Sequence, residues 1–207
     1  MTTIGPAAPP PLPRQVTDRL EPVLDEVRRD PGSIGRVFPA TARRVGRGPL
    51  DPTDPDGVTC PTVQDAARVH VLVALERVLA DRETLLDVVV GLYRDGDADE
   101  RRAVVRALPC LDVGDGAVDL LRDALRTNDT RLVAAAMGPY AADHLDDAAW
   151  RHGVLKCLFT GVPLAAVANL EQRRDPELDR MVRALADERT AAGRTVPDDA
   201  QAFLATA

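Results

Sequence analysis

The 207-residue chain is predicted to be all-α, an array of stacked helical hairpins forming a HEAT-like α-solenoid. Three observations predict this. Apolar residues recur at helical spacing along most of the chain. The one β-like run, Val88-Val89-Val90, has no second run to pair with. From residue 98 the chain falls into helix pairs, "DERRAVVRALPCL" with "GAVDLLRDALRTN" and "TRLVAAAMGPYAADH" with "DDAAWRHGVLKCLF". Corresponding helices start about thirty residues apart, at Glu100 and Thr130 and then at Gly116 and Asp147. That period suits hairpins that each bury an apolar stripe on the next.

Residues 1–13, "MTTIGPAAPPPLP", form a Pro-rich arm, disordered or polyproline-like, because prolines lack the N–H that a helix or ladder needs. Leu12, Val16, Leu20, Val23, Leu24 and Val27 then mark a first helix that ends at Asp30-Pro31-Gly32, with a kink or break expected at Pro22. Ser33 is expected to cap a second helix carrying Ile34, Val37 and Phe38. Gly48–Pro61 is turn chemistry throughout and makes the one long loop. Thr62 is the expected N-cap of a helix reaching about Ala80, whose centre, "VHVLVAL", is apolar nearly all round and therefore buried on more than one side. Glu83–Tyr93 continues as helix. A last helix in "PELDRMVRALADERTAAGR" carries Leu178, Met181, Val182 and Leu185 on one stripe and stops at Gly193. About nine or ten helices result, with 14–197 as a single domain and 198–207 as a C-terminal tail.

Composition narrows the function classes. Net charge is −7 and the charges alternate in sign, unlike the concentrated basic face that nucleic acid requires. Six aromatics are too few for a base-stacking platform. Twenty-five arginines stand against one lysine, but an Arg-rich surface demands no special ligand. Cys60, Cys110 and Cys157 form no CxxC pair and have no zinc-type histidine spacing, so free thiols in a reducing compartment, and no metal, are expected. The apolar runs are interrupted by His70, Glu76, Asp87 or Lys156 before reaching the roughly 18–20 residues of a membrane span. With no leader pattern at the N-terminus, a cytoplasmic location without a cofactor is the expectation.

No catalytic residue is assigned. A GxSxG elbow is missing and Ser33 is the sole serine. Cys157 and His152 are five helical positions apart, about 140° around the axis, and do not face each other. No GxxxxGK[ST] phosphate loop is present, and Asp146-Asp147 reads as a helix cap. The lone lysine, Lys156, lies on a helix whose expected buried stripe is Trp150, Val154, Leu155 and Leu158. Lys156 and His152 share the opposite side, among Ala149, Gly153 and Thr160. Either this is a solvated face, or the small residues leave room for an anionic ligand or another helix beside a protonatable pair. Arg43, Arg44 and Arg47 complement a helix C-terminus or form an anion site. Arg173, with Arg174 and Asp175, reads as a charged helix-to-helix corner. Tyr140, after Gly138-Pro139, sits at a helix break where a hydroxyl commonly bonds a neighbouring turn.

In order, "FPATARRVGRGPL", "ERRAVVRALPCL", "DALRTND", "GPYAADHLDDAAW", "VLKCLFTGVPL" and "RRDPELDRMVRALADERTAAGR" resemble the EboA family, proteins associated with metabolite traffic. The resemblance runs from about residue 36 to residue 197. Lys156, Phe159 and Arg189 match the family pattern. Gly138, Arg151-His152 and Arg174-Asp175 depart from it. The resemblance implies a cytoplasmic adaptor or carrier, without established catalysis, that moves secondary-metabolite precursors toward the cell envelope. It also implies partners such as a UbiA-type prenyltransferase, sugar-isomerase-like barrels and a metal-dependent hydrolase. The alternative is an enzyme acting on a small prenylated or phosphorylated metabolite through His152, Lys156 and nearby arginines.

Overall fold

The computed structural model describes residues 6–206. Met1–Gly5, the first part of the Pro-rich arm, and Ala207 lie outside the described residues. The regular elements are α1 (Arg14–Arg29), α2 (Ile34–Val45), α3 (Val63–Glu76), α4 (Arg82–Asp95), α5 (Ala98–Ala107), α6 (Val118–Ala124), α7 (Thr130–Ala136), α8 (Pro139–His144), α9 (Asp147–Thr160), α10 (Leu170–Arg173), α11 (Pro176–Ala191) and α12 (Asp198–Ala205). Among the described residues there is no strand, only a lone antiparallel bridge between Pro49 and Thr62.

Short polar side chains set most of the helix starts. Thr62 and Asp65 form a reciprocal capping box at the head of α3. Asp81, Asp97, Asp129, Asp146 and Asp175 each accept a first-turn amide at the head of α4, α5, α7, α9 and α11. Gly161 ends α9 in the left-handed region at φ 77°, where a side chain would be strained.

Several boundaries differ from expectation. Ser33 does not cap α2; its hydroxyl donates to the Asp30 carbonyl instead. α1 continues through Pro22, which lies on its exposed side. α3 stops at Glu76 rather than Ala80. The break expected at Gly138-Pro139 is present and separates α7 from α8, because Pro139 has no amide to donate and takes the first position of a new helix. Residues 198–205, expected as tail, form α12 with Ala200 and Phe203 buried.

α1, α2 and α3 pack on one another, and from there the contacts run in series: α3 on α5, α5 on α7, α7 on α9, α9 on α11, and α11 on α12. The corresponding helices compared in the sequence, α5 with α7 and α6 with α9, start at 98 and 130 and at 118 and 147, about thirty residues apart; the packing series itself, starting at 63, 98, 130, 147 and 176, has no constant interval. α4 flanks α5, and α6 lies against α7 and α8. One continuous apolar core extends from Val16 to Phe203. At the α7–α9 contact the side chain of Met137 fills the space over Gly153, so that a Cβ there would overlap its sulfur. Gly153 therefore lets two helices approach closely; it does not open room beside Lys156. Leu155, expected in the buried stripe, is only partly buried, while Cys157 is fully so.

Residues 6–13 lie along the body rather than in a helix. Ala7 N–H donates to the Pro109 carbonyl at 2.8 Å, and the His70 Nε2 is 2.8 Å from the Pro10 carbonyl.

The thiols follow from this burial. Desolvation alone pushes Cys157 up to about 12, and desolvation together with the nearby Glu76 charge raises Cys110. A thiol reagent at pH 8 is expected to modify Cys60, the half-buried loop thiol, well before Cys110 and Cys157, which should react only on unfolding. Mass-spectrometric peptide mapping after timed labelling checks this, and early modification of Cys157 would contradict the packing of α9.

Candidate functional site

The site begins with charges on helix faces that point inward. Asp65 and Arg68 are one turn apart on α3, and Arg102 and Arg106 one turn apart on α5, the two helices in closest association. The side chains of Asp65 and Arg102 are both 0 % exposed. Arg102 Nε and Nη2 donate to the two Asp65 oxygens at 2.8 and 2.9 Å, a bidentate pair, and Nη1 donates to Asp99 at 2.9 Å. Burial opposes the Arg102 charge, but the Asp65 bonds outweigh it and hold its pKa above the ordinary arginine value. Arg68 lies over the Phe38 ring, donates to the Phe38 carbonyl and reaches Glu100 at 3.4 Å.

Arg106 is treated differently. Its Nη2 donates to the carbonyls of Gly57 and Val58 at 2.8 and 3.1 Å, pinning the long loop to α5. Its buried Nε has no hydrogen bond; the nearest carboxylate, Asp65, is 3.8 Å away and already held by Arg102. Desolvation lowers the Arg106 pKa, only partly offset by Asp65.

Arg106 lines a cavity of about 250 Å³. The walls are otherwise mostly apolar and small: Val105 from α5, Ala134 and Ala135 from α7, Ala165, Ala166 and Ala168 after α9, and Val58, Thr59 and Pro61 from the loop. Tyr140 and Pro10 of the arm also line the cavity. The Tyr140 hydroxyl donates to the Gly114 carbonyl and accepts from Ala117 N–H, and burial pushes its pKa up to about 12, so it stays neutral. A second cavity of about 350 Å³ shares Pro109, Pro139 and Tyr140 with the first and is bordered by Pro6 and Ala7.

The loop wall is held by Asp54. Burial opposes its ionisation, but the amides of Cys60, Val58 and Thr59 and the Thr59 hydroxyl outweigh burial and keep the carboxyl at about 2. A depressed folded pKa means that this contribution is complete above the unfolded value of about 3.9 and is lost as pH falls toward 2. Amide exchange at Val58–Cys60 is expected to rise between about pH 4 and pH 2, and Asp54→Ala should show that loosened loop already at pH 7. Unchanged exchange in the variant would mean that other contacts hold the wall.

Of the residues singled out from sequence, only Tyr140 reaches this cavity. Lys156 Nζ donates to Asn128 Oδ1 at 2.8 Å, and His152 Nδ1 bonds the Ala148 carbonyl of its own helix at 2.7 Å. They share one ridge of α9 with Phe159, which is 64 % exposed, and neither lines either of these two cavities. Arg43 is exposed, Arg44 pairs with Glu26, and Arg47 pairs with Asp99 at 3.1 Å, so the three do not converge. Arg173 lies 4.7 Å over the Trp150 ring and donates to the carbonyls of Ala141, Ala142 and Leu145, capping the end of α8. Arg189 Nε donates to the Thr195 carbonyl and closes the turn after α11. Arg106 was missed. The available signal was its place one turn after Arg102 on a helix whose other face is apolar.

The family model described as "Metabolite traffic protein EboA" matches residues 58–204. The chain belongs to the EboA family. The matched segment of this EboA-family chain holds every lining residue of the smaller cavity except Pro10, and it begins after α2. No curated protein and no solved structure matches the chain. Among the described residues no helix is long and apolar enough to cross a membrane, and no group of three or more His, Cys, Asp or Glu side chains is placed to hold a metal ion.

Proposed function

We propose that this EboA-family chain is a non-catalytic carrier of a small metabolite, a HEAT-like helical array with its seat in the cavity beside Arg106. The observation that carries the reading is the lining itself: apolar walls with a single charged group at one edge, the usual make-up of a small-molecule site. At about 250 Å³ the space lies just below the roughly 300–1,000 Å³ of sites for drug-sized ligands, which suits a small cargo. The lining has no carboxylate, imidazole or thiol to move a proton or attack a bond, which favours carriage over the alternative of an enzyme on a prenylated or phosphorylated metabolite. The exposed Phe159 with Lys156 and His152 supports an adaptor role for the α9 ridge, toward a partner such as a UbiA-type prenyltransferase. In this reading the protein works in the cytoplasm and hands its cargo toward the cell envelope.

Protein purified from its native host and extracted for mass spectrometry tests the reading. A retained small molecule, near one per chain and lost in Ala135→Leu, is the expected result. The same molecule retained undiminished by Ala135→Leu would place the cargo elsewhere, and a native preparation with no retained molecule would count against carriage.

A further inference from the structure

Arg106 is the guanidinium of this buried cluster that lines the cavity. Arg47, Arg68, Arg102 and Arg131 pair with Asp65, Asp99, Glu100 and Asp129, whereas Asp65 and Asp54 act on Arg106 only through space. Asp65 is saturated by Arg102, Glu100 pairs with Arg68, and Asp99 is divided among Arg102, Arg47 and Arg131. Arg106 is left with two neutral carbonyls and a carboxylate beyond hydrogen-bond distance. A guanidinium with 12 % side-chain exposure and a buried Nε that makes no hydrogen bond is costly to keep. Here it borders an apolar space.

Resting on the carrier reading, we infer that the cavity takes a small organic monoanion, a carboxylate on an apolar body, with Arg106 supplying the opposite charge. The apolar body lies against Val105, Ala134, Ala135 and Ala166, and the carboxylate meets Arg106, since the Thr59 hydroxyl of the lining is already donated to Asp54. A single guanidinium in the lining suits a single negative charge. A phosphate would bring nearly two charges and three strong acceptors, which this lining cannot satisfy, because the Tyr140 hydroxyl is already engaged with Gly114 and Ala117.

Titration calorimetry on the full chain at pH 7.5, with octanoate, 1-octanol and octyl phosphate as probes, tests the assignment. Octanoate should bind about tenfold or more tighter than 1-octanol, the increment of a charge-assisted hydrogen bond. Arg106→Gln should bring the two to near equality, and Ala135→Leu should weaken both. Equal binding of octanoate and 1-octanol by the wild type, both lost in Ala135→Leu, overturns the monoanion inference and leaves the carrier reading standing. Octyl phosphate binding tightest overturns it also. No binding by any probe sinks both. Should Arg106→Gln fail to fold, the wild-type preference among the three probes, unchanged in Arg106→Lys, still decides.

Discussion

Arg102→Met is expected to lower folding stability by about 3–5 kcal/mol, because it leaves the Asp65 carboxylate fully buried without its bidentate partner. Against a typical total of roughly 5–15 kcal/mol, much of the molecule would be unfolded at growth temperature. Asp65→Leu should do comparable damage from the other side, and with a further consequence: the capping box at Thr62 loses its second half. The pair replaced together should recover much of the loss, since two apolar side chains need no counter-charge. Denaturant unfolding of the two single variants and the double variant measures the coupling. Additive losses would show that Asp65 and Arg102 act separately, contrary to their geometry.

Trp150→Ala should cost a similar amount, about 3–5 kcal/mol, from the cavity left by the largest fully buried side chain. Trp150 is 1 % exposed, and Arg173 rests over its ring while capping α8. Removing the ring therefore also loosens a guanidinium that organises the α8–α9 corner. Trp150→Phe should be much milder than its size change suggests, because the buried indole N–H has no hydrogen-bond partner to lose. Thermal unfolding of both variants separates the two contributions. A phenylalanine variant as unstable as the alanine variant would point to a bonded indole.

Both predictions concern residues whose roles were legible to different degrees. Helix identity and most ends could be read, because Thr62, Asp146, Gly161 and Gly193 act through their nearest neighbours in sequence. Pro22 misled, because a proline on an exposed helix side is tolerated when the other helix face is well buried. The Asp65–Arg102 pair spans 37 positions, and one sequence carries no trace of which charges meet at that range. On α5 the residues at 102 and 106 look like any solvated arginines until α3 is laid against them. The cavity is harder still. Its walls are alanines from two separate segments joined by a loop and the arm, and alanine announces neither a core nor a site.

The serial packing of α3, α5, α7, α9, α11 and α12 has a kinetic side. Neighbours in space are mostly near neighbours along the chain, so little loop entropy opposes each new contact and assembly should be quick. The same geometry gives the molecule a firm middle and a loose end. The middle is bolted by the interior ions of α3 and α5, whereas α12 is held chiefly by α11. Deuterium should therefore enter α12 first and α3 last, as a row of dominoes lifted from its open end.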